Sequence, residues 1–196
     1  MHTYTVEPLY VPSGEETIAA DFYLPKTNIK PAVILMAHGF AGLRQFKLVQ
    51  YAQRFAKAGY AVILFDYRYW GGSTGKPREL VSLGAQLDDW KTIVQYASNC
   101  KLIDSRRIIL WGTSLSGGYA LSLATDLKNI QAVMVQVPYV DGAETAKLYP
   151  LQRYPEALKR SSQDYMGSKM GLDPKTLPVV DQHKLCFLPT SDSYYG

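Results

Sequence analysis

A serine in a glycine-rich turn is the residue of this chain best suited to covalent chemistry. Residues 107–118 read Arg-Ile-Ile-Leu-Trp-Gly-Thr-Ser-Leu-Ser-Gly-Gly, so a short apolar run is followed by small residues and then by a helical pattern. This order is typical of a nucleophile elbow, where a serine hydroxyl is exposed on a sharp turn between strand and helix. We therefore expect Ser114 to be a nucleophile that forms an acyl-enzyme. The simpler alternative is that the turn only caps the following helix.

A serine nucleophile also needs hydrogen-bond donors for the oxyanion that develops on the attacked carbonyl. The backbone N–H of Leu115 is one candidate, because it lies at the positive end of the following helix. The second candidate is the N–H of Phe40, since His-Gly-Phe-Ala-Gly at 38–42 follows another apolar run and such a loop supplies this donor in enzymes with a nucleophile elbow. We interpret His38 as a turn-stabilising residue, because the catalytic histidine of these enzymes follows the serine.

The acid and the base for this serine are not evident. His183 is the only histidine after Ser114, and it lies near Asp181 in a segment between prolines. Asp181 and His183 stay open as an acid and base pair, although side chains two residues apart rarely orient each other in that way. We interpret Asp141 as a turn residue and Asp66, at the end of an apolar run, as a structural residue.

Alternating apolar runs and helical patterns predict the elements that would position these residues. Two strands joined by a turn are expected at 4–11 and 17–24, and continuous apolar runs at 32–37, 60–65, 107–111 and 131–137 favour strands buried on both faces. Helical spacing occurs between these runs, after residues 48, 83 and 114. The alternation predicts an α/β fold with a mostly parallel sheet and helices on both faces. Residues 143–196 differ, with Tyr-Pro steps, one helical pattern at 157–170 and only a weak strand pattern at 185–188.

Composition excludes several classes of protein. The chain of 196 residues carries a net charge of +4 on dispersed basic residues, which argues against a nucleic-acid partner. Two cysteines without metal-ligand spacing favour neither a disulfide framework nor a metal site. The longest apolar run, 32–37, is far shorter than the ~20 residues that span a bilayer, and the N-terminus lacks a signal-peptide pattern. We expect a cytoplasmic protein without a membrane partner. Residues 71–76 depart from the phosphate-binding pattern, and no organic cofactor is expected.

Four blocks of sequence resemble successive blocks of α/β-hydrolases, at residues 36–44, 65–73, 111–118 and 137–142. They are most similar to the group of dienelactone hydrolases, acetyl-xylan esterases and fungal polyketide transferases and thiohydrolases. The resemblance covers residues 6–142 well and the tail more loosely, and it implies Ser114 as nucleophile with Phe40 and Leu115 as oxyanion donors. Two departures are visible. Ser116 replaces the second glycine of the Gly-x-Ser-x-Gly pattern, and Tyr69 replaces a glycine common after Asp-Tyr-Arg.

The resemblance also implies a division of the chain. Residues 1–142 correspond to the hydrolase core and 143–196 to a cap segment, while the acid and histidine loops of the family would lie beyond Gly196. We therefore expect a fragment that is inactive alone, with strand 131–137 as an exposed edge prone to self-association. The expected activity is hydrolysis of an ester or thioester of a small or acyl-chain substrate. The alternatives are an acyltransferase or thiohydrolase of secondary metabolism and a non-catalytic binding protein with a hydrolase fold.

Overall fold

The computed structural model describes residues 1–147 and 154–180, and it contains one six-stranded sheet flanked by helices. In chain order the elements are β1 (Tyr4–Ser13), β2 (Glu16–Pro25), β3 (Val33–Ala37), α1 (Leu48–Lys57), β4 (Ala61–Phe65), α2 (Leu83–Asn99), β5 (Ile108–Thr113), α3 (Leu115–Asp126), β6 (Ile130–Gln136), α4 (Gly142–Ala146) and α5 (Tyr154–Lys169). The strands lie in the sheet in the order β1-β2-β4-β3-β5-β6. β2 pairs antiparallel with both β1 and β4, and the remaining pairs are parallel.

Apolar side chains on both faces of the central strands hold the helices against the sheet. Every residue of β3 and β4 is buried, and successive side chains of a strand point to opposite faces. Thus Leu35 belongs to a core cluster shared with α2 and α3, while Ile34 and Met36 belong to a second cluster shared with α1. The predicted α/β fold, with a mostly parallel sheet and helices on both faces, is confirmed.

The strands and helices differ from the sequence prediction mainly at their ends. β5 continues two residues beyond the predicted 111, to Thr113, so the strand leads directly to Ser114. The turn between β1 and β2 is confined to Gly14 and Glu15, and the short helix α4 was not predicted. The weak strand candidate at 185–188 lies outside the described residues.

The chain divides into two compact units, Met1–Val140 and Asp141–Gly196. The first contains the whole described sheet, in which β6 is an edge strand next to β5. Most residues of β6 are exposed, including Val135. The described part of the second unit contains α4 and α5. In the described ranges, no helix combines the length and the apolar character that a membrane crossing requires.

Candidate active site

Ser114 forms the bend between a strand and a helix. β5 ends at Thr113 and α3 begins at Leu115. The backbone of Ser114 has φ 53° and ψ −120°, a conformation that residues other than glycine rarely adopt and that costs of order 1–3 kcal/mol. Such strain persists only where the surroundings enforce it, and it clusters at functional sites.

Main-chain hydrogen bonds enforce this conformation from both sides. The N–H of Ser114 donates to the carbonyl of Gln136 at 2.9 Å, and its carbonyl accepts from the N–H groups of Gly118 at 3.2 Å and Tyr139 at 2.9 Å. The half-buried side chain makes no capping hydrogen bond, whereas a capping serine has an extended backbone and accepts from the first helical turn. The geometry at Ser114 therefore differs from that of a simple helix cap.

Two glycines allow main-chain atoms to approach closely around this bend. A Cβ at Gly112 would lie 2.2 Å from the carbonyl oxygen of Ser116. A Cβ at Gly118 would lie 2.0 Å from the carbonyl oxygen of Tyr139. Both obstacles are main-chain atoms, which cannot rotate away as the end of a flexible side chain can. Close main-chain contacts thus explain why glycines occupy these two positions of the 112–118 segment.

The loop formed by residues 38–42 lies against Ser114. A Cβ at Gly39 would be 3.0 Å from the Cβ of Ser114 and 3.6 Å from its Oγ. Phe40 follows directly, is half-buried and packs against the core cluster shared with α2 and α3. The structure therefore brings together the three residues that the sequence analysis selected, because Leu115 is also adjacent to Ser114 as the first residue of α3.

His38 fixes the peptide between Gly39 and Phe40. Its Nδ1 lies 2.8 Å from the carbonyl oxygen of Gly39, which also accepts from the N–H of Gly42 at 3.2 Å. Because a carbonyl can only accept, Nδ1 carries the proton. The carbonyl of Gly39 and the N–H of Phe40 belong to one planar unit and point in opposite directions. Fixing the carbonyl therefore also fixes the direction of the N–H.

The second ring nitrogen of His38 is buried and lies toward Asp66. Nε2 is 3.9 Å from Oδ1 of Asp66 and has no hydrogen-bond partner among the described residues. Burial lowers the pKa of His38, which favours the neutral ring. One ring nitrogen thus serves the 38–42 loop and the other faces a buried carboxylate, an arrangement that fits a turn-stabilising role.

Asp66 is occupied by structural hydrogen bonds. Its Oδ1 accepts from the N–H of Arg44 at 2.8 Å, and its Oδ2 accepts from the N–H of Gly72 at 3.0 Å and from the guanidinium of Arg44. Nε of Arg44 also donates to Asp21 at 3.1 Å. Asp66 therefore ties the segment after β3 to the loop after β4, as expected of a structural carboxylate.

The described residues bring no histidine base to Ser114. His2 lies beside Gly59, with Nδ1 3.2 Å from the carbonyl oxygen of Lys26. Asp141 caps α4, since its Oδ1 accepts from the N–H of Glu144 at 2.9 Å. The other candidates, Asp181 and His183, lie outside the described residues. Within the described ranges, no group of three or more His, Cys, Asp or Glu residues could hold a metal ion.

Sequence analysis missed a buried chain of hydrogen bonds beneath the 38–42 loop. Nε1 of Trp90 donates to the hydroxyl of Tyr67 at 2.8 Å, this hydroxyl contacts Oγ of Ser116, and Oγ donates to the carbonyl of His38. All four residues are buried, and burial raises the pKa of Tyr67, so its hydroxyl stays protonated. A tryptophan at helical spacing indicates core packing but does not reveal the partner of its N–H.

An open apolar groove of about 460 Å³ borders the bend. Its lining includes Leu115, Gly118 and Tyr139. The last two donate their N–H groups to the carbonyl of Ser114. The groove therefore begins at residues in direct contact with the candidate nucleophile.

The fold and the strand–serine–helix bend define the chain as an α/β-hydrolase. Residues 29–175 match the family described as serine aminopeptidase, S33, and the chain belongs to this family. The quorum-quenching protein AidA of Acinetobacter baumannii is 36% identical over 186 residues, which cover 94% of this chain and 61% of AidA. The thiohydrolase aneE of Aspergillus aculeatus is 33% identical over 165 residues, or 82% of this chain and 50% of aneE.

A solved structure shows the same fold. The crystal structure of the hypothetical protein PA2218 from Pseudomonas aeruginosa superposes with a TM-score of 0.80 at 23% identity, covering 92% of this chain and 59% of that one. The chain thus spans between half and about three fifths of the length of these three relatives.

Proposed function

We propose that this protein is a serine hydrolase that cleaves an ester or thioester through an acyl-enzyme on Ser114. The observation that supports this most strongly is the strained backbone of Ser114 directly beside the peptide between Gly39 and Phe40. A turn with only a structural role does not require a serine in this strained conformation. A nucleophilic serine does require it, because the bend exposes the hydroxyl and places main-chain donors next to it.

The proposed reaction has two halves. Oγ of Ser114 attacks the substrate carbonyl and passes its proton to a base, while the N–H groups of Phe40 and Leu115 stabilise the oxyanion. The carbonyl re-forms as the bond to the leaving alcohol or thiol breaks, and the leaving group takes up the proton. Water, deprotonated by the same base, then hydrolyses the acyl-enzyme and regenerates Ser114. None of these steps requires a metal or an organic cofactor.

The base is proposed to be a histidine that the described residues do not include. His183 and a histidine from outside this chain are the two sources. In serine hydrolases the loss of the histidine lowers turnover by about 10⁶-fold, and oxyanion donors and binding alone leave about 10³–10⁴-fold over water. If the base is a histidine from outside this chain, the 196-residue chain alone should be essentially inactive on p-nitrophenyl esters, and this is the outcome we expect. Turnover by this chain that both Ser114→Ala and His183→Ala abolish would contradict this expectation and assign the base to His183.

The substrate is proposed to carry an apolar acyl group. The groove beside Leu115 is lined mainly by apolar residues, and one relative is named a thiohydrolase, which supports a thioester as well as an ester. An acyltransferase would form the same intermediate but pass the acyl group to an alcohol or thiol. Product analysis with water or an added alcohol as acceptor separates the two activities. A role of residues 143–196 as a cap, and a cytoplasmic location, stay predictions.

Covalent labelling tests the nucleophile independently of turnover. The chain is incubated with a fluorophosphonate and with imidazole as an external base, and the modified residue is found by peptide mass spectrometry. We expect label on Ser114 in the wild type and in Ser161→Ala, which removes an exposed hydroxyl from α5, and none in Ser114→Ala. The non-catalytic alternative is favoured by the lack of a histidine near Ser114 among the described residues. It would be supported if the wild type took up no label.

A further inference from the structure

We propose that Ser116 is a positioning residue for the 38–42 loop, acting through the hydrogen bond that its hydroxyl donates to the carbonyl of His38. This inference rests on the proposed function, because the loop it positions carries the N–H of Phe40 as an oxyanion donor. Ser116 is fully buried in the first turn of α3, two residues after the proposed nucleophile. The hydrogen bond therefore links the helix that begins at the nucleophile to the loop that supplies the donor.

The two ends of the buried chain determine the direction of every hydrogen bond in it. The indole nitrogen of Trp90 can only donate, and the carbonyl of His38 can only accept. Ser116 donates its single hydrogen to the carbonyl of His38, so its oxygen can only accept from Tyr67, and the Tyr67 oxygen accepts from Trp90. Each hydroxyl uses its single hydrogen toward the loop, so the Ser116 hydroxyl is held in one orientation.

This arrangement fixes two successive peptide planes of the loop. Ser116 holds the carbonyl of His38 and with it the peptide between His38 and Gly39. The ring of His38 holds the next carbonyl, that of Gly39, and with it the peptide that contains the N–H of Phe40. A glycine at position 116, as in the usual Gly-x-Ser-x-Gly pattern, could make no such bond. The departure from the pattern thus has a physical role here.

The test separates the rate of the chemical step from binding and from folding. In the imidazole-supported labelling of Ser114, the constants kinact and KI are measured for the wild type, Ser116→Ala, Ser116→Cys and Ser13→Ala. Ser13→Ala is the matched control, because Ser13 is also a buried serine whose hydroxyl donates to a residue of α2, Asp89, at 3.2 Å. Ser116→Cys keeps the size of the side chain and a weak donor.

We expect Ser116→Ala to lower kinact by about 10–100-fold, because displaced oxyanion donors cost this much or more. KI should stay within about twofold, since a group acting only in the transition state does not change ground-state binding. Ser116→Cys should recover part of kinact, and Ser13→Ala should leave it unchanged. An unchanged kinact in Ser116→Ala, or an equal loss in Ser13→Ala, would overturn the proposal.

A second measurement does not depend on catalysis. The NMR order parameters of the Gly39 and Phe40 amides should fall in Ser116→Ala from about 0.85, typical of rigid backbone, toward about 0.6, and should not change in Ser13→Ala. If wild-type Ser114 takes up no label but these order parameters fall, the positioning role holds and the proposed function fails. If the order parameters are unchanged, the positioning role fails whatever the labelling shows.

Discussion

Replacing Tyr67 by phenylalanine removes one oxygen from the buried chain of hydrogen bonds and should lower the free energy of unfolding by about 2–4 kcal/mol. The indole N–H of Trp90, which is fully buried, would lose its acceptor, and an unsatisfied buried donor costs about 1–3 kcal/mol. The lost bond to Ser116 adds about 1 kcal/mol. The phenyl ring keeps its edge contacts with Phe65 and Tyr119, at centroid distances of 5.5 and 6.1 Å, so packing contributes little to the loss.

Thermal unfolding followed by circular dichroism measures this loss. For a chain of this size, a loss of about 2–4 kcal/mol corresponds to a fall in Tm of roughly 4–16 °C. The control is Tyr10→Phe, because Tyr10 is 65% exposed and a surface substitution stays within about 0.5 kcal/mol. A double-mutant cycle with Ser116→Ala should give a coupling of about 0.5–3 kcal/mol. Equal stability of Tyr67→Phe and Tyr10→Phe would refute the hydrogen-bond chain as described.

Three further predictions concern the glycines, the buried histidine and the sheet edge. Gly118→Ala should destabilise the fold by about 1–3 kcal/mol through overpacking. Gly84→Ala should stabilise α2 by about 0.5–1 kcal/mol, because a Cβ there meets nothing within 4 Å. Urea unfolding measures the free energy of unfolding of both variants. Because the pKa of His38 is lowered in the folded chain, the unfolded chain binds more protons as the pH falls. The free energy of unfolding is therefore unaffected by this residue above about pH 6.5 and decreases below it, by at most about 1.4 kcal/mol per pH unit. His38→Asn should flatten this part of the profile between pH 7 and 5, and parallel profiles would contradict the assignment. Sedimentation velocity should show self-association through the β6 edge that Val135→Lys reduces, because charges on an edge strand oppose pairing; a monodisperse wild-type monomer would argue against it.

The order of elements in this fold could be predicted because each central strand is buried on both faces. The runs that became β3 and β4 contain only apolar residues, and between them the apolar positions of α1 recur at helical spacing. Ser114 could be selected for the same local reason, since the end of an apolar run, a glycine-rich turn and the start of a helical pattern are adjacent in sequence. Features whose signals lie within a few residues are accessible to such reasoning.

Features that depend on residues far apart in the chain could not be predicted from the sequence. The position of β4 between β2 and β3 follows from pairing of separate segments, and periodicity contains no information on it. Tyr67, Trp90 and Ser116 are separated by 23 to 49 residues along the chain, so their shared chain of hydrogen bonds has no local signal. The departure at Tyr69 was visible in the sequence, but only the structure shows that it adopts a φ of 73°, the left-handed conformation that glycine favours.

The strain at Ser114 makes the candidate active site dependent on the end of β6. Two of the three main-chain hydrogen bonds that hold Ser114 come from Gln136, the last residue of that strand, and from Tyr139 just beyond it. A conformation that costs of order 1–3 kcal/mol is maintained only while such partners are in place. Because β6 is the edge of the described sheet and is mostly exposed, local opening there would release the bend before the core around β3 and β4 unfolds. Additional pairing along the free side of β6 would therefore stabilise the proposed nucleophile without contacting it.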